Sequence, residues 1–172
     1  MTAIATGAGI VELTMQHLLP AKFDGVVPRV LLLANGGQES EFVYRSQIGG
    51  PARSYWGFEQ GGGIHGVLNA APSKQYARSC CQLRAVAPVE SDVYAAFLVD
   101  DPLACAFARL LLWCDPNPLP QLGDTAAAFA SYLRNWRPGA YTRGTDEQRA
   151  AIQARYATNY EAALQAVNGC AA

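Results

Sequence analysis

Apolar residues recur every three to four positions along most of this chain, and no run alternates with a period of two. The first spacing puts apolar side chains on one face of a helix, whereas a half-buried strand needs alternation. Helix-capping residues accompany the pattern, among them Asp124 before an apolar run and Thr145 three residues before Gln148. We therefore predict a mostly α-helical fold. The 172 residues contain no internal linker, which fits a single domain over residues 1–172.

The expected helices are bounded by prolines and capping residues. The first covers Ile4–Leu19 and ends at Pro20, and the second has Pro28 in its first turn and runs toward Glu39. Gly36 and Gly37 fall inside this second helix, so either it breaks there or a neighbour packs close to its backbone. The remaining helices are expected at Ser73–Val86, at Val93–Leu98, from a cap at Asp101 to Trp113, from Asp124 through Leu133, and from Thr145 through Val167.

Glycines and aromatic residues cluster between Gln47 and Gly66, and Pro51 lies among them. Glycine and proline at this density rule out a regular helix. We predict an irregular, aromatic-bearing loop region there, with a short helix near its centre. This region is expected to form one side of a cleft.

The net charge of −1 and the absence of long like-charged runs argue against a nucleic-acid partner. No segment has the roughly 18 apolar residues of a membrane span. The first residues lack the basic region of a signal peptide, so we expect synthesis in a cytoplasm. The five cysteines are an odd number without regular spacing, which indicates buried, reduced thiols rather than a disulfide framework.

Glu39 is the candidate of most chemical interest, because it ends an apolar helix beside the glycine-rich loop. Burial raises the pKa of a carboxyl group by disfavouring its charged form. A glycosidase needs such a group, because its general acid must still hold a proton near neutral pH. Neighbouring aromatic rings would offer faces on which sugars stack. On these grounds alone, a solvated surface glutamate remains the alternative.

Four short blocks carry a resemblance. The first is Glu39-Ser40-x-Phe42, and the second, reached without a gap, is Ala52-Arg53-Ser54-Tyr55-Trp56-Gly57-Phe58. Together they resemble the Glu-Ser-x-Phe and Ala-Arg-Gly-Leu-Trp-Gln-Phe blocks of lytic transglycosylases and goose-type lysozymes. The third, Ala130-Ser131-Tyr132, is similar to an Ala-Ala-Tyr of the same family, and Trp136-Arg137-Pro138-Gly139 resembles a sequence of its phage-encoded members.

The resemblance implies a lysozyme-like domain that cleaves the glycan strands of bacterial peptidoglycan. Glu39 would protonate the glycosidic oxygen, and the protein would be either a lytic transglycosylase or a muramidase. The protein would act at the cell wall, either carried in a virion or released at lysis. Its partners would be other phage virion or lysis proteins. No cofactor is implied. Substrate contacts are expected from a set of residues around Glu39: Ser40, Arg53, Tyr55, Trp56, Phe58 and Tyr132.

Glu59 is the other acidic residue of the glycine-aromatic loop. In an inverting hydrolase a second carboxylate, roughly 6.5–9.5 Å from the first, activates water. We assign that catalytic role to Glu59 as a hypothesis, the alternative being a loop glutamate that accepts backbone hydrogen bonds.

The chain also departs from the family pattern, since Gly57 stands where the family has glutamine. This favours a second hypothesis, a catalytically silent lysozyme-like virion component that binds glycan or protein. A third is a helical bundle without a cleft, in which Trp56 and Phe58 belong to the core. A fourth pairs His65 with Cys80 or Cys81 as a nucleophile. The two histidines are scattered, so no metal site is expected.

Overall fold

The helical periodicity corresponds to nine α-helices within residues 3–169, the part of the chain that the computed structural model describes. No β-strand occurs in this range. The fold is therefore a mostly α-helical single domain, as the sequence predicts. The helices are α1 Ala3–His17, α2 Val26–Ser40, α3 His65–Asn69, α4 Lys74–Leu83, α5 Glu90–Ala96, α6 Asp101–Trp113, α7 Thr125–Trp136, α8 Gly139–Arg143 and α9 Asp146–Gly169.

The capping residues of α7 and α9 are confirmed. The Asp124 carboxylate accepts a hydrogen bond from the backbone N–H of Ala127 at 2.9 Å. At the start of α9, the Gln148 side chain accepts from the Thr145 N–H at 2.9 Å, and the Thr145 hydroxyl accepts from the Gln148 N–H at 3.3 Å. Both patterns satisfy N–H groups that have no partner inside the helix, which is why they can be recognised locally.

Other boundaries differ from the prediction. The cap of α6 is Asp100 rather than Asp101, since its carboxylate accepts from the Leu103 N–H at 3.0 Å. Helix α5 begins at Glu90, three residues earlier than expected, because its first turn is acidic rather than apolar. Helix α4 ends at Leu83, and Ala85 beyond it has a left-handed φ of 54°. The short helix α8 was not predicted.

Helix α2 lies in the middle of the molecule and packs against α1, α6 and α9. Its residues 30–34 are almost fully buried. The helix continues without a break through Gly36 and Gly37, so close packing explains both glycines. A Cβ on Gly36 would lie 2.5 Å from Cζ of Phe42, and one on Gly37 would lie 3.1 Å from Oδ1 of Asn159.

Tyr156 of α9 connects three helices in the core. Its side chain is fully buried, and its hydroxyl lies 3.0 Å from Oδ1 of Asn35 on α2 and 3.2 Å from the carbonyl oxygen of Ala128 on α7. Either oxygen can accept the hydroxyl proton. The contact fixes the position of α7 and α9 relative to the end of α2.

The glycine-rich region is irregular, as expected. Residues 46–58 form two tight turns held by antiparallel backbone pairs, Ser46 with Arg53 and Arg53 with Phe58. A π-helical turn follows at residues 60–64, in which the Ile64 N–H donates to the Glu59 carbonyl at 3.4 Å. The helical part of the region thus lies at its end, where α3 begins, and not at its centre.

Candidate active site

Glu39 lies in the last turn of α2, directly before the chain reverses. Glu41 and Phe42 both have left-handed φ values, 54° and 55°, so the backbone turns sharply away from the helix axis. Ser40 stabilises this turn. Its hydroxyl lies 2.9 Å from the Tyr55 carbonyl oxygen and 3.1 Å from that of Gly36, and it accepts from the Phe42 N–H at 3.1 Å. Ser40 is buried, so it joins α2 to the glycine-rich loop.

The Glu39 side chain lines an open cleft of about 500 Å³. One wall is the segment from Tyr44 to Glu59, and the opposite wall comes from α7, α8 and α9, through Tyr132, Ala140 and Arg155. Glu39 is exposed at the mouth of this cleft, and the protein that lines the cleft partly desolvates its carboxylate.

Two close neighbours hold the Glu39 carboxylate. The Tyr132 hydroxyl donates a hydrogen bond of 2.5 Å to Oε1. Oε2 faces the backbone of Gly57, so closely that a Cβ on Gly57 would lie 2.5 Å from it. Gly57 also has a left-handed φ of 65°. The left-handed backbone favours glycine at this position, and a side chain there would also displace the Glu39 carboxylate.

Burial is the dominant influence on Glu39 and raises the pKa of its carboxyl group above the ordinary value. The hydrogen bond from Tyr132 and the charge of Arg155 act in the opposite direction and lower this pKa. The pKa of Tyr132 is itself raised, by burial and by the neighbouring Glu39 charge. Tyr132 therefore keeps its proton and acts as the donor in this pair.

The aromatic residues of the second motif block lie in the core. The exposed fractions of Tyr55, Trp56 and Phe58 are 4%, 0% and 3%. The Trp56 indole N–H donates to the Leu32 carbonyl at 2.9 Å. The expectation that these rings offer stacking faces to a sugar is corrected, because their faces are covered by other side chains. They pack behind the wall of the cleft. The hypothesis of a helical bundle without a cleft also placed Trp56 and Phe58 in the core.

Arg53 is directed toward α5. Its Nη1 donates to the Tyr94 carbonyl at 3.0 Å, and its guanidinium lies over the Tyr94 ring at 3.7 Å. This pairing stabilises the loop and leaves the group away from Glu39.

Glu59 differs, since it is exposed and lines the same cleft as Glu39. The structure therefore brings Glu39, Glu59 and Tyr132 to one cleft.

Several residues of the cleft were not predicted from the sequence. Tyr44 and Ile48 lie on its rim, with exposed fractions of 59% and 87%. Trp136 is half-buried, stacks on Tyr132 at 6.1 Å between ring centres, and donates to the Trp56 carbonyl at 2.8 Å. Arg155 donates to the Gln38 carbonyl at 2.9 Å. Only Trp136 carried a signal, as part of the last motif block.

The cleft continues beyond Glu39. A second depression of about 440 Å³ shares Gly57, Glu59 and Trp136 with the first and extends over the glycines at 61–63. A third, of about 370 Å³, shares Leu111 and Asn135 with the second and reaches Asp115. The three form one groove, which we call the Glu39 groove.

Elsewhere, the pairing of His65 with a cysteine is corrected. His65 is exposed and contacts Glu90 at 2.6 Å, whereas Cys80 and Cys81 are buried. Burial raises the pKa of these thiols to about 12 and about 11, so they are not nucleophiles. Cys105 is also buried and Cys114 is half-buried, while Cys170 lies outside the described residues.

Three further observations cover residues 3–169. No cluster of three or more histidine, cysteine or acidic side chains that could hold a metal occurs there. No helix in that range is both long and apolar enough to cross a bilayer. A separate cavity of about 770 Å³ lies between α1, α2 and α9 and is mainly apolar. Its charged side chains, Glu12 and Arg29, pair with each other, which leaves no group there for acid–base chemistry.

Comparison of this chain with protein-family models, with curated proteins and with solved structures finds no significant match.

Proposed function

We propose that this protein is a lysozyme-like glycosidase that cleaves the glycan strands of peptidoglycan, with Glu39 as the general acid. The observation that carries the proposal is the position of Glu39. Glu39 is exposed to the groove, yet the protein around its carboxylate desolvates it enough to raise its pKa. A general acid needs a pKa near the working pH, so that it still holds the proton that the leaving oxygen must receive.

The shape and lining of the groove suit a polymer of sugars. It is long and open rather than a closed pocket, and its three depressions follow one another from Glu39 to Asp115. Tyr44 and Trp136 present partly exposed rings along it, and these can stack on sugar faces. Backbone amides and polar side chains on both walls can bind hydroxyl groups.

The group that attacks the anomeric carbon decides the product of the reaction. If Glu59 activates water, the product is an ordinary reducing sugar. If the 6-hydroxyl of the sugar attacks instead, Glu39 accepts its proton and the product is a 1,6-anhydro sugar. The mass of the product separates the two routes, because the anhydro sugar is lighter by one water. Loss of activity in Glu59→Gln is expected only on the first route.

The test is digestion of purified peptidoglycan by the wild type and by Glu39→Gln, with soluble products separated by mass. The amide keeps the shape and can still accept from Tyr132, but it cannot supply a proton. We expect a rate about 10²–10⁴ lower. Glu41→Gln is the matched control, since Glu41 is two residues away and exposed, and it should keep wild-type activity.

Thermal unfolding checks that Glu39→Gln is folded. Burial disfavours the charged carboxylate, so the amide variant should melt at least as high as the wild type at neutral pH. Soluble muropeptides from the wild type but not from this variant would support the proposal. If the wild type leaves several kinds of wall intact, the proposal fails. The alternative, a virion component that binds glycan or protein without cleaving it, would then be preferred.

A further inference from the structure

Arg137 occupies the centre of the Glu39 groove. It follows α7 directly and lines all three depressions, from the one that holds Glu39 to the one that holds Asp115. The residue is exposed. Any chain lying along the groove therefore passes Arg137, whichever end it enters.

The guanidinium of Arg137 has few protein contacts. Its side chain donates one hydrogen bond within the described residues, from Nε to the Arg134 carbonyl at 3.3 Å, and it forms no ion pair there. Glu59 lines two of the same depressions without pairing with it. The two terminal nitrogens are therefore free to donate to a ligand, in the geometry that binds a carboxylate through two parallel bonds.

The other arginines of the groove are already engaged. Nη2 of Arg134 pairs with Oδ2 of Asp115 at 3.0 Å. Arg155 donates to the Gln38 carbonyl, and its charge acts on Glu39. Arg137 is thus the arginine of the groove whose charge is not directed at a carboxylate of the protein itself.

The backbone of Arg137 supports a role for this side chain. The residue caps α7 in the left-handed region, with φ 48° and ψ 53°. Helices commonly end there with glycine, and a residue with a Cβ is disfavoured in this conformation by roughly 1 kcal/mol. An arginine at this position is costly for folding, which is typical of residues retained for function.

We propose that Arg137 is a specificity-determining residue that binds a carboxylate of the glycan substrate and so selects acidic, muramic-acid-type saccharides over neutral ones. This inference rests on the proposed function and deepens it by naming the substrate class. Two carboxylate sources share this chemistry: the lactyl group of a sugar without a peptide, and the carboxylates of the peptide on a sugar that has one, since the peptide is joined to the lactyl carboxyl as an amide.

Calorimetric titration of Glu39→Gln, which should bind without cutting, provides the test. Three oligosaccharides of equal length serve as ligands: a chitin oligomer, a peptidoglycan glycan stripped of its peptides, and the same glycan with peptides attached. Each is titrated into Glu39→Gln alone and into its double variants with Arg137→Gly, Arg137→Lys and Arg78→Ala. Glycine suits the left-handed backbone, so Arg137→Gly should melt at least as high as its parent.

We expect Arg137→Gly to weaken binding of the acidic saccharides about tenfold and to leave chitin binding unchanged. Lysine should restore part of the loss, because it keeps the charge without the paired donors. Arg78 is an exposed arginine of α4 outside the groove, so Arg78→Ala controls for net charge and should change nothing. A loss with the stripped glycan shows that Arg137 binds the free lactyl carboxylate, and a loss with the peptide-bearing glycan shows that it binds the stem, because the lactyl carboxyl is an amide there.

An equal effect of Arg137→Gly on all three saccharides, or no effect on any, would overturn this inference while leaving the proposed function intact. Absence of binding to every saccharide by Glu39→Gln would instead overturn the proposed function, and this inference with it.

Discussion

At the scale of single residues, the site depends on a balance of opposing effects on Glu39. Burial raises the pKa of its carboxyl group, and the Tyr132 hydrogen bond and the Arg155 charge lower it. Glu39 as an acid must be protonated, so activity should fall as the pH rises through this pKa. On the proposed function, the residues around Glu39 would therefore set the pH range of activity, even where they never touch a substrate.

Replacing Tyr132 by phenylalanine tests this balance. The variant removes a donor that favours the charged carboxylate, so the pKa of Glu39 should rise further. We expect the alkaline limb of the pH–rate profile to move to higher pH. The measurement is the initial rate of peptidoglycan solubilisation across a pH series.

Tyr44→Phe is the matched control for that series. Tyr44 lines the same cleft, keeps a ring after the change, and has no hydrogen bond to Glu39. The alkaline limb of its pH–rate profile should coincide with that of the wild type. A limb that stays fixed or moves to lower pH in Tyr132→Phe would contradict the role assigned to the Tyr132 hydroxyl.

Gly57 shows how one residue can depart from a family pattern for a structural reason. The resembling families have glutamine at this position, and its loss suggested a silent protein. Here the backbone is left-handed at 57 and Oε2 of Glu39 fills the space of a Cβ. In this backbone a side chain at 57 would displace the carboxylate, so the glycine is compatible with an active Glu39.

At the scale of secondary-structure elements, glycines on α1 and α2 leave the space that the ring of Phe42 occupies. Phe42 inserts between α1 and α2, where a Cβ on Gly7 would lie 2.6 Å from its Cζ and one on Gly36 would lie 2.5 Å from the same atom. This insertion holds the reversal after α2 in place, and with it the orientation of Glu39. Glycine lowers helix propensity, but here it permits the close approach.

Gly36→Ala should therefore destabilise the protein. Alanine is the better helix former by about 1 kcal/mol, but the added methyl group collides with Phe42, and overpacking typically costs about 1–3 kcal/mol. We expect a net loss of up to about 2 kcal/mol in the free energy of unfolding, measured by urea denaturation.

Gly9→Ala should instead raise the free energy of unfolding in the same experiment. Gly9 lies inside α1, and a Cβ there would have no neighbour within 4 Å. Only the helix-propensity effect remains, so this variant should gain about 0.5–1 kcal/mol. Equal signs for the two substitutions would contradict the packing explanation.

At the scale of the whole molecule, the site exists only because distant segments meet. Glu39 comes from α2, Gly57 and Glu59 from the loop, Tyr132 from α7 and Arg155 from α9. The buried hydroxyl of Tyr156 links α9 to α2 and α7 below the cleft. Stability and site geometry are therefore coupled through the core.

Tyr156→Phe should reveal this coupling. The change removes the one hydroxyl proton that Asn35 or Ala128 accepts and leaves a buried acceptor without its donor, which costs about 1–3 kcal/mol of folding free energy. We expect a loss in that range by urea denaturation. Tyr44→Phe, at an exposed tyrosine, should change stability by less than about 0.5 kcal/mol, and equal stability of both variants would refute the link.

Local chemistry determined what could be predicted from the sequence. Apolar spacing identified most of the helices, and caps such as Asp124 and Thr145 marked their starts, because these signals act within one or two turns. The glycine-rich stretch identified the irregular loop, and Glu39 at a helix end identified the candidate acid. Short helices without a cap signal, such as α8, were missed for the same reason.

Tertiary structure alone decided which side chains face the cleft. Tyr55, Trp56 and Phe58 turned inward because the loop is irregular, so no period relates a position in the sequence to a face. Arg155 lies more than a hundred residues from Glu39, and no local pattern brings the two together. The raised pKa of Glu39 depends in the same way on burial by distant helices, which only the packed structure provides.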